Sequence, residues 1–160
     1  MRVIERDGLA AVSQRVVAQE ADVPPSAVTY YFPTVDDLLV AALTACNDDY
    51  LERLAECAAS PDPVRALARL VVESTGARRA YAAAEYELFL MSARRPALQP
   101  EALRWADAVD AFLAPHVDGP VERAGVAAAV DGLFLRCFCA PEPPDVEQVQ
   151  AVLARLVSGR

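Results

Sequence analysis

The chain has 160 residues, 54% of them hydrophobic, and a formal net charge of −8. This length suits one domain, or a small domain fused to a larger one, and the apolar content is enough for a sizeable core. The acidity argues against a protein that binds nucleic acid through a broad basic surface. No apolar run has the length of a membrane span or a signal peptide, so we expect a cytoplasmic protein with no membrane partner.

Proline and glycine divide the chain into segments whose apolar residues recur every three or four positions, which is the pattern of amphipathic helices. The spacing predicts an all-α protein, with a short helical stub followed by eight helices. These cover residues 1–6 and then about 13–21, 25–31, 35–58, 63–75, 77–94, 100–116, 120–139 and 145–158. We divide the chain into a small N-terminal domain, residues 1–45, and a larger helical domain, residues 46–160.

Local signals fix the ends of the first helices. Ser13 is the expected N-cap of the helix that ends near residue 21, and Thr34 that of the helix from residue 35. Asp36 and Asp37 then stand at the positive end of that long helix. Asp22 occupies a tight turn that requires positive φ, a conformation that Asp tolerates less well than Gly.

Two short helices joined by a tight turn and followed by a long helix form a helix-turn-helix arrangement. Its small core is expected to contain apolar residues of both short helices, namely Val17, Ala18, Ala21, Val23, Val28 and Phe32. The same spacing leaves polar and small residues facing outward, namely Gln14, Arg15, Ser26, Ala27, Thr29 and Tyr30. On the residues alone, a DNA-binding head and a plain αα-hairpin of a helical bundle both stay open.

The segment Gly8–Leu43 resembles the DNA-binding segment of the TetR family of bacterial repressors. The shared features are the Gly8-Leu9 turn, Ser13 at the cap, the "VAQEADV" run from residue 17 to 23, the aromatic pair before Phe32-Pro33, and the following "DDLL". The match covers about a quarter of the chain. The segments "YELFLMSARRP" (86–96) and "DGLFLRCF" (131–138) agree in style with the ligand and dimer domain of that family.

The resemblance implies a homodimeric, ligand-responsive regulator, a repressor that a small and often apolar effector releases from a double-stranded DNA operator. By the resemblance, Gln14, Arg15, Pro25, Ser26 and Ala27 approach the bases. Thr29, Tyr30 and Tyr31 correspond to residues that hold phosphates. Of these side chains, Arg15 is the strong base-edge donor, because its guanidinium can bond guanine in bidentate fashion.

The head departs from the family pattern at three places. Val35 stands where the family has a Lys, and Asp22 replaces the usual Gly. Only six residues precede Asp7-Gly8, so most of the first helix of a DNA-binding domain is missing, and we expect one apolar face of the head to be loosened or covered by another partner. Two hypotheses follow: the natural protein is longer, or this chain has lost operator binding. The upstream reading frame would distinguish them.

Aromatic side chains recur along residues 77–116, and we predict an effector pocket near Tyr86, Phe89, Trp105 and Phe112. A plain apolar core is the alternative for these aromatic residues. Small residues at three- and four-residue spacing in 120–139, together with helix 145–158, suggest a four-helix interface between two copies. Its predicted residues are Gly125, Ala129, Gly132, Leu133, Leu153 and Leu156.

The alternative hypothesis is a helical small-molecule-binding or interaction protein that no longer binds DNA. The acidic, shortened head favours this alternative. The chain is not expected to be an enzyme and implies no cofactor, because it has one His, no nucleophile elbow and no Gly-rich phosphate loop. The four cysteines, at positions 46, 57, 137 and 139, lack the spacing of a zinc site and are expected to be reduced core residues.

Overall fold

The computed structural model describes residues 1–142 and 144–159, and every regular element in those ranges is helical. The α-helices are α1 Arg2–Asp7, α2 Gln14–Glu20, α3 Pro25–Tyr31, α4 Val35–Ala58, α5 Pro63–Thr75, α6 Arg79–Met91, α7 Gln99–Leu113, α8 Pro120–Cys139 and α9 Val146–Val157. Two 3-10 turns, Leu9–Ala11 and Pro96–Leu98, precede α2 and α7. The predicted all-α fold is confirmed.

The local signals at the start of the chain act as predicted. The Ser13 hydroxyl caps α2 by accepting a hydrogen bond from the Val16 amide at 3.2 Å. Asp22 has φ of 54°, the positive value that the turn before α3 requires. Thr34 caps α4, since its hydroxyl accepts from the Asp37 amide at 3.2 Å. Each of these features depends on residues that are close together in the sequence, which is why it could be predicted.

Two predicted helices are shorter or shifted. The helix predicted over 77–94 is α6, Arg79–Met91, and that predicted over 100–116 is α7, Gln99–Leu113. After Met91 the amides of residues 92–94 bond to carbonyls three residues back, so the chain tightens out of α-helical geometry. Pro96 follows closely, and the residue before a proline disfavours helical backbone.

The chain forms two compact units. The first contains Met1–Asp48 and Ala80–Leu103, and the second contains Asp49–Arg79 and the chain from Arg104 onward. The main core of the first unit joins α1, α4, α6 and the turn before α7 through Ile4, Leu39, Leu43, Cys46, Ala84, Leu88 and Leu98. In the second unit, α5 packs on both α8 and α9.

A smaller cluster in the first unit holds the helix-turn-helix together. Its buried residues are Ala18, Val28 and Leu38, with Val12, Val17 and Phe32 packed against them. The prediction was wrong for Ala21 and Val23, which are exposed, Val23 by 40%. Both follow the end of α2 and belong to the turn at Asp22, so they leave the apolar face of α2, and Leu38 of α4 completes the cluster instead.

The cysteine side chains are mostly internal, as expected. Cys46, Cys57 and Cys137 are buried free thiols, and Cys139 is exposed. Burial raises the pKa of the Cys57 and Cys137 thiols, because the charged thiolate is poorly solvated inside the protein.

Candidate functional site

The helix-turn-helix presents one face of α3 to solvent. Val28 is the buried residue of this seven-residue helix. Tyr30 and Tyr31, at its C-terminal end, are 79% and 72% exposed, and their rings meet edge to face with centroids 5.1 Å apart. The phenolic hydroxyl groups of both residues are therefore available to an external acceptor.

Most other residues predicted to contact DNA also lie at the surface of the head, defined here as residues 1–45. Arg15, Pro25, Ser26 and Thr29 are exposed, and Ala27 is half-buried. The Thr29 hydroxyl donates to the Pro25 carbonyl at 2.9 Å, within its own helix. Any phosphate contact through this hydroxyl competes with that bond.

Gln14 differs from its predicted neighbours, because its side chain is half-buried and bonded inside the head. Its amide nitrogen donates to the Phe32 carbonyl at 2.8 Å and to the Pro33 carbonyl at 2.7 Å. The amide thus joins the first residue of α2 to the chain that leaves α3. Eighteen residues separate Gln14 from Phe32, so no local sequence signal indicates this contact.

The arginines of the head are not equivalent. Glu20 pairs with Arg2 at 2.9 Å and with Arg6 at 2.8 Å, which ties α1 to α2. The hydrogen bond from Arg6 lowers the pKa of the Glu20 carboxyl. Within residues 1–45, all of which the structure describes, Arg15 is the arginine that bonds to no acid. The positive charge that the head offers to a ligand is therefore concentrated at Arg15.

An apolar groove of about 390 Å³ opens on the head. Its walls come from α1, α2 and α4 with Phe32, and include Val3, Ile4, Val12, Val17, Phe32, Leu38, Leu39 and Ala42. We call this feature the head groove. It lies on the apolar face that was predicted to be incompletely covered.

The four residues of the predicted effector pocket are distributed over the two units. Tyr86 and Phe89 belong to the first unit, where their ring centroids are 6.4 Å apart. Trp105 and Phe112 belong to the second unit, where both are buried. Trp105 stacks on Tyr50 of α4 with centroids 4.3 Å apart and an angle of 11° between the rings. Sequence reasoning did not select Tyr50, which stands alone among aliphatic and polar residues of α4.

Two polar side chains are buried inside the first unit. Glu85 of α6 is only 5% exposed, and Asn47 of α4 is fully buried. The Asn47 amide donates to both the carbonyl and the carboxylate of Glu101, at 2.8 and 2.7 Å. Buried charged groups are uncommon in proteins, so Glu85 is a candidate functional residue.

The segment after α6 is bonded to the start of α4. Arg95 forms an ion pair with Asp36, which lies in the first turn of α4. Since α4 directly follows α3 and Pro33, this pair ties the segment that follows α6 to the backbone beside the helix-turn-helix.

A stripe of exposed residues runs along α8 at three- and four-residue spacing. Its members are Val121, Gly125, Ala128, Gly132, Leu135 and Cys139, and we call them the α8 stripe. Of the predicted dimer residues, Gly125 and Gly132 lie in this stripe, while Ala129 and Leu133 beside it are half-buried. Leu156 of α9 is 39% exposed, whereas Leu153 is 1% exposed and belongs to the core of its own unit.

Residues 1–142 and 144–159 contain no group of three or more His, Cys, Asp or Glu residues arranged to hold a metal ion. None of the helices in them combines the length and the apolar character needed to cross a membrane.

Residues 60–159 match the family described as tetracyclin repressor-like, C-terminal domain. The multidrug binding protein EbrR in complex with ethidium is 41% identical, with 97% of this chain and 91% of that chain covered and a TM-score of 0.82. The EbrR complex with proflavin is 42% identical, with 97% of this chain and 93% of that chain covered and a TM-score of 0.77. A TetR family member from Streptomyces coelicolor A3, SCO1917, gives 41% identity, 97% and 91% coverage and a TM-score of 0.83. No curated protein matches the chain.

Proposed function

This chain belongs to the TetR family of transcriptional regulators, and from that premise we propose that it is a repressor that a small effector releases from operator DNA. The observation that carries the DNA-binding part is the outward face of the head. There Arg15, Tyr30 and Tyr31 stand exposed around a capped helix-turn-helix. An arginine fork can read guanine, and tyrosine hydroxyls can donate to phosphate oxygens.

The test is fluorescence anisotropy with labelled DNA from the promoter of the chain's own gene at moderate salt. We expect that DNA to bind more tightly than a scrambled duplex of the same length and composition. Equal binding of the two duplexes would remove the regulator proposal for this chain.

We further propose a planar aromatic cation as the class of effector. Ethidium and proflavin, which are bound by the similar protein EbrR, belong to that class. The buried Glu85 carboxylate in the first unit would attract a cation, and the aromatic rings of Tyr86 and Phe89 belong to the same helix of that unit. This extends the expectation of an apolar effector by adding a positive charge.

Ethidium binding is measured by the rise of its own fluorescence. We expect Glu85→Gln to weaken ethidium binding by about tenfold, because one charged contact in a water-poor site is lost. Glu87→Gln is the matched control, since Glu87 is exposed on the same helix. Equal loss in the two variants would reject Glu85 as the cation contact.

The Arg95–Asp36 pair supports the release step. An effector that shifts α6 would move a segment bonded to the first turn of α4, and α4 continues from the helix-turn-helix. Reduced operator affinity in the presence of ethidium is the expected outcome, with a coupling of about 1–3 kcal/mol.

The second candidate is a helical ligand-binding protein without DNA binding. It is favoured by the pairing of Arg2 and Arg6 with Glu20, which leaves little positive charge on the head. Ethidium binding with no preference for promoter DNA would select this candidate.

A further inference from the structure

The amide of Gln14 closes the open end of the helix-turn-helix. At one end of the motif, the turn joins α2 to α3, and the Val23 amide donates to the Ala18 carbonyl at 3.0 Å. At the other end, Gln14 donates to the carbonyls of Phe32 and Pro33, at 2.8 and 2.7 Å. The two helices are thus joined at both ends.

The chemistry of these bonds is well matched. Carbonyl groups at the C-terminal end of a helix have no partner inside the helix. A primary amide has two N–H donors on one nitrogen, so a single Gln14 side chain can serve two carbonyls at once. A seven-residue helix such as α3 is marginal without tertiary support, so this contact constrains how its last turn is held.

Tyr30 and Tyr31 depend on that last turn. Their rings are mostly in solvent, so packing against the rest of the head does little to orient them. Their direction is set by the backbone at the end of α3, immediately before Phe32. The carbonyl of Phe32 is one of the two that accept a hydrogen bond from Gln14.

The same bonds argue against base reading by Gln14. A bidentate contact with adenine needs a glutamine N–H donor and its oxygen acceptor together. Both bonds of the Gln14 nitrogen are already made inside the head. Reading a base would require the side chain to release the end of α3.

We propose that Gln14 is a positioning residue that holds the C-terminal end of α3, and with it Tyr30 and Tyr31, in the orientation that DNA phosphates require. This role rests on the proposed DNA binding. Gln14 acts through the tyrosines and through the backbone of Phe32, without touching DNA itself.

The decisive variants are Gln14→Glu and Gln14→Lys. Glutamate has the same shape but no donor, and it sets a carboxylate against two carbonyl oxygens. Lysine keeps N–H donors, on a longer and flexible side chain. The helix dipole favours an acidic residue and disfavours a basic one at the start of α2. If Gln14 mattered only for the stability of α2, Gln14→Glu would be tolerated better than Gln14→Lys. The proposed contact predicts the opposite order, with Gln14→Lys tolerated better than Gln14→Glu.

Gln19 provides matched controls, because it is exposed on the same helix. We expect Gln14→Glu to bind promoter DNA about tenfold more weakly than Gln19→Glu, which has the same change of charge. Gln14→Lys should bind within about twofold of Gln19→Lys. Thermal unfolding followed by circular dichroism checks that all four variants are folded.

Coupling to the tyrosines separates positioning from a general loss of structure. In a Tyr30→Phe/Tyr31→Phe background, the Gln14→Glu penalty should fall to about twofold, because the groups that Gln14 positions can no longer donate to phosphate. An undiminished penalty in that background would overturn the proposal. So would a change of preference confined to one base pair of the promoter, which marks a base-reading residue.

The contact can also be measured without DNA. In NMR spectra, the side-chain NH₂ of Gln14 should exchange with solvent more slowly than that of Gln19. Exchange as fast as that of Gln19 overturns the inference even if the wild-type chain binds DNA. If the wild-type chain shows no preference for its promoter, the proposed function fails, and slow Gln14 exchange still establishes the contact.

Discussion

Arg15 is the residue on which sequence-specific binding by this head should depend most. It is exposed, and the other two arginines of residues 1–45 are paired with Glu20. We expect Arg15→Ala to reduce operator affinity by about 1–3 kcal/mol, the value of one bidentate base contact. Anisotropy with promoter DNA measures the change directly.

Arg15→Lys is the informative companion variant. Lysine keeps the charge but lacks the planar fork that matches guanine. Affinity for scrambled DNA should therefore survive, while preference for the promoter falls. Full retention of preference in Arg15→Lys would show that the residue contributes charge alone.

The cap at the start of α4 makes stability depend on pH. The Thr34 hydroxyl and amide both donate to the Asp37 carboxylate, at 2.7 and 2.8 Å. The bond from the hydroxyl is the larger reason that the pKa of Asp37 is lowered. A carboxyl whose folded pKa lies below its unfolded value stabilises the fold above the unfolded pKa, and this contribution disappears as pH falls through the folded pKa.

We therefore expect Asp37→Asn to unfold at a lower temperature than wild type at pH 7. The difference should shrink as pH falls below about 4, where the aspartate of the unfolded chain is protonated. Unfolding midpoints between about pH 7 and pH 3 measure it. Asp118→Asn, at an exposed aspartate outside the helices, serves as the comparison, and the same pH profile for both variants would contradict the assignment.

At the scale of an element, the head groove marks a face of α4 with unfilled apolar volume. Ala41 lies on its rim and is exposed. Ala41→Leu adds apolar groups beside this groove, where they can cover apolar wall residues. We expect the free energy of unfolding to rise by about 1 kcal/mol, as measured by urea unfolding.

Ala55→Leu is the control for this change, because Ala55 is an exposed alanine of the same helix outside the groove. Leucine and alanine differ little in helix propensity, so the control should change stability by less than about 0.5 kcal/mol. An equal gain in both variants would mean that the groove is not being filled.

How far these elements could be predicted depended on the distance between the interacting residues. Ser13 and Thr34 accept from amides three residues further along the chain, and Asp22 adopts the positive φ of the turn, each as the sequence predicted. Gln14 and Tyr50 find their partners 18 and 55 residues away along the chain, so composition and spacing could not indicate their contacts.

The sequence predicted where the helices lie better than it predicted which of their apolar residues are buried. Leu153 and Leu156 are both apolar residues of α9, yet Leu153 is in the core and Leu156 is at the surface. Apolar spacing shows that a helix has a buried face, but two faces can be apolar when one packs internally and another meets a second chain. The fold was thus easier to predict than the assignment of each face.

At the scale of the whole molecule, the α8 stripe is the surface we propose for pairing two copies. Gly132 lies in the middle of it, and a Cβ atom added there would meet no described atom of its own chain within 4 Å beyond its immediate surroundings in the helix. Gly132→Arg should leave the monomer folded while blocking close approach of a second helix. Sedimentation should then show a monomer where the wild type gives a dimer.

The control for this variant is Ala154→Arg, which adds the same charge at an exposed position of α9 that lies outside the predicted interface residues. It should remain dimeric. A monomeric wild type, or a dimeric Gly132→Arg, would rule out the stripe as the interface.

The acidity of the whole chain can be reconciled with DNA binding if the contact releases few counterions. The logarithm of affinity falls with the logarithm of salt concentration by about 0.9 for each cation that neutralises a phosphate. A dimer whose heads each bring Arg15 as the one unpaired arginine to the DNA should therefore give a slope no steeper than about −2, even though Arg15 is proposed to contact a base. The neutral tyrosine hydroxyls at positions 30 and 31 add hydrogen bonds to phosphate without adding to this slope.

Anisotropy titrations at several KCl concentrations measure the slope, and Arg15→Ala should bring it close to zero. A slope steeper than about −5 would mean that other arginines reach the phosphates. In that case the acidic balance of the head would be a poor guide to its DNA surface. A shallow slope, together with a retained preference of the protein for promoter DNA, would instead show that tyrosine hydroxyls and a single arginine per head are enough to bind the operator.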